Sequence, residues 1–127
     1  MRTGLWISLV LLAVTIGCGV YSAHGIRQVS ERYVSAAEEL QSMTEHAEWA
    51  RAAGTVAAYQ ESWEKTVPLL QMLINHEDTD NVTLSIVQLR AAIRAEDQAG
   101  CFMACAELRE NAQHLYHRDA FTLGNVL

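Results

Sequence analysis

From Gly4 to Tyr21 the chain reads GLWISLVLLAVTIGCGVY, and from Ile26 to Met43 it reads IRQVSERYVSAAEELQSM. As a helix, the first stretch is apolar on every side, whereas the second is apolar along one stripe only. No formally charged residue lies between Arg2 and Arg27, taking His24 as neutral. At 1.5 Å per residue that interval spans about 36 Å, against a bilayer hydrocarbon core of about 30 Å. Trp6 and Tyr21 stand near its two ends, where amphipathic rings favour the headgroup level. The expectation is a transmembrane helix within residues 1–25, continuing into a helical body over residues 26–127.

A cleaved signal peptide competes for the same segment. It would have a shorter apolar core and small residues at positions -3 and -1 of the cleavage site. Ala23 fits the second position, but Tyr21 is bulky at the first, and Gly17 with Gly19 is a weaker pair. The run Val14-Thr15-Ile16-Gly17-Cys18 half resembles a lipoprotein signal, with Thr15 where a leucine-like residue is usual. The helical pattern that resumes at Ile26 favours a retained anchor. Lys and Arg near the two ends are close to balanced, with Arg2 on one side and Arg27 and Arg32 on the other. The positive-inside comparison therefore barely decides the orientation. A very short tail before the helix is expected to stay inside as a signal anchor, which puts the body outside the cytoplasm. Ala13/Gly17 and Gly19/Ala23 have the small-residue spacing that lets two membrane helices approach closely.

The body is written in helix-forming residues. Of 127 residues only one is proline, Pro68, and glycines number seven. Alternating β-branched runs bounded by Asn-Gly or Asp-Gly are absent. The fold class expected is all-α, an antiparallel up-and-down bundle of about four helices. A formal net charge of -6 repels phosphate backbones and anionic headgroups. Nucleic acid is therefore not an expected partner, nor is a basic amphipathic surface role.

Four apolar stripes at helical spacing set the expected core. The first is Ile26, Val29, Tyr33, Ala36, Leu40, Met43 and Ala47. A second runs through Trp49, Ala52, Val56, Tyr59, Trp63, Val67, Leu70 and Ile74. Stepping from Ala47 to Trp49 breaks the phase, and Ser42-x-x-Glu45 reads there as a capping box, so a turn or sharp kink is expected near Thr44 to Glu48. Pro68 should bend the second helix or begin a separate segment. Leu69 to Ile74 is apolar nearly all round, and so is either buried between helices or close to the bilayer. Residues 76–81 read as an acidic loop, with Asp80 or Asn81 capping a third helix that carries Val82, Ile86, Leu89 and Ile93. A turn around Arg94 to Gln98 precedes a fourth, with Cys101, Cys105, Leu108, Ala112 and Leu115. Phe121, Leu123, Val126 and Leu127 make the tail from Asp119 apolar enough to pack back on the bundle. The stretch from Trp49 to Tyr59 has residues of the wrong type for a tetratricopeptide repeat, and no second copy follows.

Few residues carry candidate chemistry. His76, Glu77, Asp78 and Asp80 bring four potential ligands into one short segment, although Val82 and a missing glycine exclude a calcium loop of the EF-hand type. In an antiparallel bundle His114 and His117 would lie at the same pole. The candidate metal ligands are accordingly His76, Asp80 and His114. The competing reading gives the acids the helix N-terminal amides and dipole, with His76 bonding the last carbonyls of the second helix. His114 and His117 also lie on the opposite side of their helix from the Cys101–Leu115 seam. Cys101 and Cys105, one turn apart on that seam, should behave as small apolar residues. No nucleophile–base pair, phosphate-binding glycine loop or polarised carboxylate pair is present, so an enzyme is not expected and no cofactor is implied.

The order of these features resembles an uncharacterised bacterial family, the domain of unknown function 4363. The features are an N-terminal membrane helix, the tryptophan-led helix Glu48-Trp49…Trp63, the segment His76-Glu77-Asp78-Thr79-Asp80, and the ending His114-Leu115…Leu123-Gly124-Asn125-Val126-Leu127. The resemblance implies the architecture and brings no activity. It draws attention to His76, Asp80, His114 and Asn125, which could equally organise the fold, with Asn125 fixing the tail through backbone hydrogen bonds. The function expected is a membrane-anchored interaction or accessory module. Its partners would be the lipid bilayer and a second copy or another integral membrane protein. The alternative is an extracytoplasmic bundle binding a small ligand or metal at His76–Asp80.

Overall fold

The computed structural model describes the backbone of residues 1–126 and the side chains of residues 1–116. Four helices follow one another: α1 (Arg2–Glu45), α2 (Trp49–Gln71), α3 (His76–Arg94) and α4 (Gln98–Val126). No strand occurs among the described residues. Short connections force consecutive helices to run antiparallel. The ring closes where α4 packs along α1, the most extensive of the helix–helix interfaces; α3 with α4, α2 with α3 and α1 with α2 follow in that order.

The apolar stripes become the core nearly residue for residue. Tyr33, Ala36, Leu40, Ala52, Val56, Trp63, Val82, Ile86, Leu89, Cys101, Cys105, Leu108, Ala112 and Leu115 are all buried. Val29, Trp49, Tyr59 and Val67 are partly buried against them. Among the described residues five polar ones, Ser30, Thr44, Asp78, Thr79 and Ser85, share the interior, four of them with hydroxyls. Each of the four hydroxyls bonds a backbone carbonyl, as buried hydroxyls must. Ser30 Oγ reaches across to the Ala112 carbonyl at 2.7 Å, and Ser85 Oγ and Thr79 Oγ1 bond within α3 at 2.9 and 2.8 Å. At the centre, the Trp63 ring meets the Tyr33 ring edge-on with centroids 5.0 Å apart, and its indole N–H donates to Thr83 Oγ1 at 2.8 Å. Edge-to-face pairs of this kind add to what burial alone contributes.

Two helix ends are built alike. After α1, Ala47 adopts φ 56°, and the N–H of Glu48 reaches the Met43 carbonyl at 2.9 Å. After α3, Glu96 adopts φ 51°, and the N–H of Asp97 reaches the Ala92 carbonyl at 3.0 Å. Both are left-handed caps that satisfy the last carbonyls, here without glycine. Asp97 then caps α4, its Oδ1 accepting the Gly100 N–H at 3.1 Å. The two turns lie at one pole, tied together by Gln98 Nε2, which donates to the Thr44 carbonyl at 3.3 Å.

Four local expectations are corrected. Ala47 leaves the core stripe, because it is the left-handed residue of the turn and is exposed. Ser42 and Glu45 lie in the last turn of α1 and make no capping box; α2 starts after Glu48, without a side-chain cap. Pro68 starts no separate segment: α2 runs three residues past it and ends in tight bonds from Leu73 and Ile74 to the Leu70 carbonyl, at 2.9 and 2.8 Å. The chain from Asp119 is no tail distinct from α4, whose helix continues to Val126. Whether Phe121, Leu123, Val126 and Leu127 pack on the bundle, and what Asn125 bonds, lies outside the described side chains.

Only α1 is long and apolar enough to cross a membrane, among the described residues, and none of its apolar window is buried within the chain. Leu11, Val14 and Ile16 are more than half exposed and Leu9 nearly so, like their neighbours on every side of the helix. From Ile26 onward the same helix buries eight residues, Ile26, Ser30, Tyr33, Ala36, Ala37, Leu40, Met43 and Thr44.

Candidate functional site

The acidic segment is helix rather than loop. Asn75 is the N-cap of α3, and its side chain accepts the Glu77 N–H at 3.2 Å. Glu77 and Asp78 therefore occupy the first turn, where carboxylates interact favourably with the positive end of the helix dipole. Asp80 and Asn81, the caps expected from sequence, fall inside the helix. Thr79 ties the turn together. It donates to the His76 carbonyl at 2.8 Å and accepts from Gln71 Nε2 at 3.2 Å, which joins the start of α3 to the end of α2.

His76 and Asp80 are one helical turn apart on α3, both exposed, and His114 is exposed on α4. Asn111 brings α4 against α3, donating to the Asn81 carbonyl at 3.3 Å and to Ser85 Oγ at 2.7 Å. That contact puts the His114 region at the same pole as His76, as the antiparallel topology requires. The three side chains are nevertheless not gathered: among the described residues no group of three or more His, Cys, Asp or Glu side chains could hold a metal ion. Helix spacing explains the result. His114 is two residues from Ala112 and one from Leu115, both fully buried, so it points off the seam that faces α3. His117 lies outside the described side chains.

Cys101 and Cys105 are buried and free, on the core face where their spacing puts them. Burial pushes both thiols up, Cys105 to about 12, with the neighbouring Cys101 thiol adding to it. Such thiols stay protonated at neutral pH and are poor nucleophiles and poor ligands. Cys18 is exposed on the apolar half of α1.

The concave surfaces are open grooves. One of about 510 Å³ lies over Arg32, Arg51, Gly54 and Tyr59, between α1 and α2. Another of about 590 Å³ lies between α1 and α4, where Arg27 sits over the Tyr116 ring at 5.7 Å from its centroid and pairs with Glu31 at 3.0 Å. Tyr59, bordering the first groove, donates its hydroxyl to Glu39 Oε2 at 2.8 Å, and burial raises the Tyr59 phenol. Periodicity did not single out these cross-helix polar contacts, because they lie at the edges of the stripes.

Within the bundle, large apolar side chains are exposed at Leu84, Val87, Phe102 and Met103 on α3 and α4, and at one connection. Leu69, Met72 and Leu73 are 67%, 81% and 52% exposed around the α2–α3 connection, while Leu70 and Ile74 beside them are buried. The apolar run expected to be either buried or close to the bilayer is split residue by residue between the two environments.

No curated protein and no solved structure matches the chain. The model of a domain of unknown function, DUF4363, matches residues 20–126, beginning as the apolar segment ends and covering the whole bundle; the chain belongs to that family.

Proposed function

We propose that this protein is a single-pass, membrane-anchored helical module that works by contact with another integral membrane protein or with a second copy of itself. The observation carrying this reading is the division of α1. Its N-terminal half exposes apolar side chains on every face, and its C-terminal half is locked into the bundle core. A helix apolar all round has no stable place in water, and about 20 such residues suffice to cross a bilayer. Continuity of the helix leaves no tether, so the body would sit against the membrane within reach of neighbouring membrane proteins. The body is proposed to face away from the cytoplasm, and no reaction of its own is assigned to it.

Alkaline carbonate extraction followed by crosslinking in native membranes tests the proposal. The chain should stay in the membrane fraction and crosslink to one defined membrane protein or to itself. Release into the carbonate supernatant would sink the anchor. The competing class, a ligand- or metal-binding body at the His76–Asp80 turn, would instead give a zinc-dependent rise in melting temperature that His76→Ala abolishes. A membrane-impermeant thiol reagent applied to whole cells, read at a cysteine replacing Ala95, tests the orientation.

A further inference from the structure

We propose that the α2–α3 connection is a second membrane contact, in which the exposed side chains of Leu69, Met72 and Leu73 enter the lipid interface beside the end of the apolar half of α1. The inference rests on the membrane-anchored reading and specifies how the body meets the bilayer.

The first argument is level. Antiparallel packing of α1 and α2 is registered by Tyr33, whose hydroxyl donates to the Tyr59 carbonyl at 3.4 Å and whose ring lies 5.0 Å from that of Trp63. Continuing along α2 to Met72 moves roughly eleven residues, or about 16 Å, past that level. The same distance back along α1 from Tyr33 reaches the segment near Ser22, next to Tyr21. Tyr21 is itself 81% exposed and closes the apolar stretch. The three side chains thus stand at the height where the anchor would leave the hydrocarbon and enter the headgroups.

The second argument is the contrast between the poles. The two far turns, His46-Ala47-Glu48 and Ala95-Glu96-Asp97, carry acidic residues and no exposed large apolar side chain; the exposed Phe102 and Met103 at that end lie on α4 itself, beyond its first turn. The near connection reads Met72-Leu73-Ile74-Asn75 and exposes two of its three apolar residues. Water-facing turns are normally polar, and exposed apolar side chains clustered in one place mark a contact surface. Shape does not force the exposure: the N-cap and dipole needs of α3 are met by Asn75, Glu77 and Asp78. Because Glu77 and Asp80 are acidic and exposed at this end, the fit is to a zwitterionic lipid surface entered through apolar contact, and attraction to anionic headgroups plays no part.

The test uses the full chain reconstituted in phosphatidylcholine nanodiscs, with an environment-sensitive fluorophore on a single exposed cysteine. Three positions are compared: native Cys18, Met72→Cys and Ala95→Cys, the last two with Cys18→Ser. Cys101 and Cys105 are buried and do not label in the folded chain. Lipid bearing a nitroxide near the headgroup end of its acyl chain is the quencher. Emission at Cys18 and at Met72→Cys should fall at least twofold, while Ala95→Cys is unchanged. Quenching at Cys18 but not at Met72→Cys would overturn this inference and leave the anchor standing; a second copy or another protein covering the patch would give that result. No quenching at Cys18 would overturn the anchored reading, and this inference with it.

Discussion

The two halves of α1 share one continuous helix and differ in what their apolar residues do. Before Tyr21 no side chain is buried in the chain; from Ile26 onward eight are. Apolar content does not separate them as well as its arrangement does. An all-round pattern needs an apolar solvent, whereas a stripe needs a partner helix. The second half meets that need with Trp63, Leu108 and Leu115 from other helices, so its burial depends on the whole chain, while the first half depends only on its own composition.

Substitutions that act on one half and spare the other sharpen the contrast. Trp63→Ala removes a fully buried ring and its bond to Thr83, and should cost the bundle about 3–5 kcal/mol. A denaturant titration should show a large drop in midpoint, or no folded baseline, while the chain still partitions into membranes. Leu11→Arg should do the reverse. It should raise the cost of membrane insertion by about 2.5–3.5 kcal/mol and leave the bundle's melting temperature in detergent unchanged. If Leu11→Arg also unfolded the bundle, the two halves would not be independent.

Smaller effects probe the bundle alone. The folded chain holds the Cys105 thiol up at about 12 through burial, against an ordinary value of about 9, so the unfolded chain loses that proton first. Stability should then be flat below pH 9 and fall as pH rises toward 12, by about 1 kcal/mol at pH 10. Cys105→Ala should flatten the slope in that window. Asp97→Ala removes the α4 cap and should cost about 1 kcal/mol in thermal or chemical denaturation. Ala47→Gly relieves a left-handed backbone position and should raise stability by a few tenths of a kcal/mol. A loss there would show that the turn tolerates Ala47 without strain.

Much of the fold was legible in the spacing. The stripes from Val82 to Ile93 and from Cys101 to Leu115 are buried throughout, because a 3.6-residue period marks the inward face whatever the neighbour is. The acidic segment misled because polarity suits both a loop and the first turn of a helix. The deciding residue was Asn75, one position before the run, whose side chain caps α3. Ser42-x-x-Glu45 misled similarly, since the pattern also fits a final helical turn. Of the candidate site, sequence could say that His76, Asp80 and His114 belong near one pole. Helix phase also said that His114 faces away from the Cys101–Leu115 seam. It could not say that Ser30, Thr79 and Ser85 would join the core by bonding carbonyls.

Composition and periodicity by themselves determined an apolar membrane-length segment, an all-α body and the inward face of each helix, because these are properties of one helix in its solvent. Only the tertiary structure decided the register of each helix against its neighbours. It also divided one apolar run, burying Leu70 and Ile74 and leaving Leu69, Met72 and Leu73 outside. That division depends on where α2 stops against α1 and α3. Its register is set by contacts such as Tyr33 with Trp63 and Trp63 with Thr83, which join residues that are distant in sequence and that no local pattern pairs.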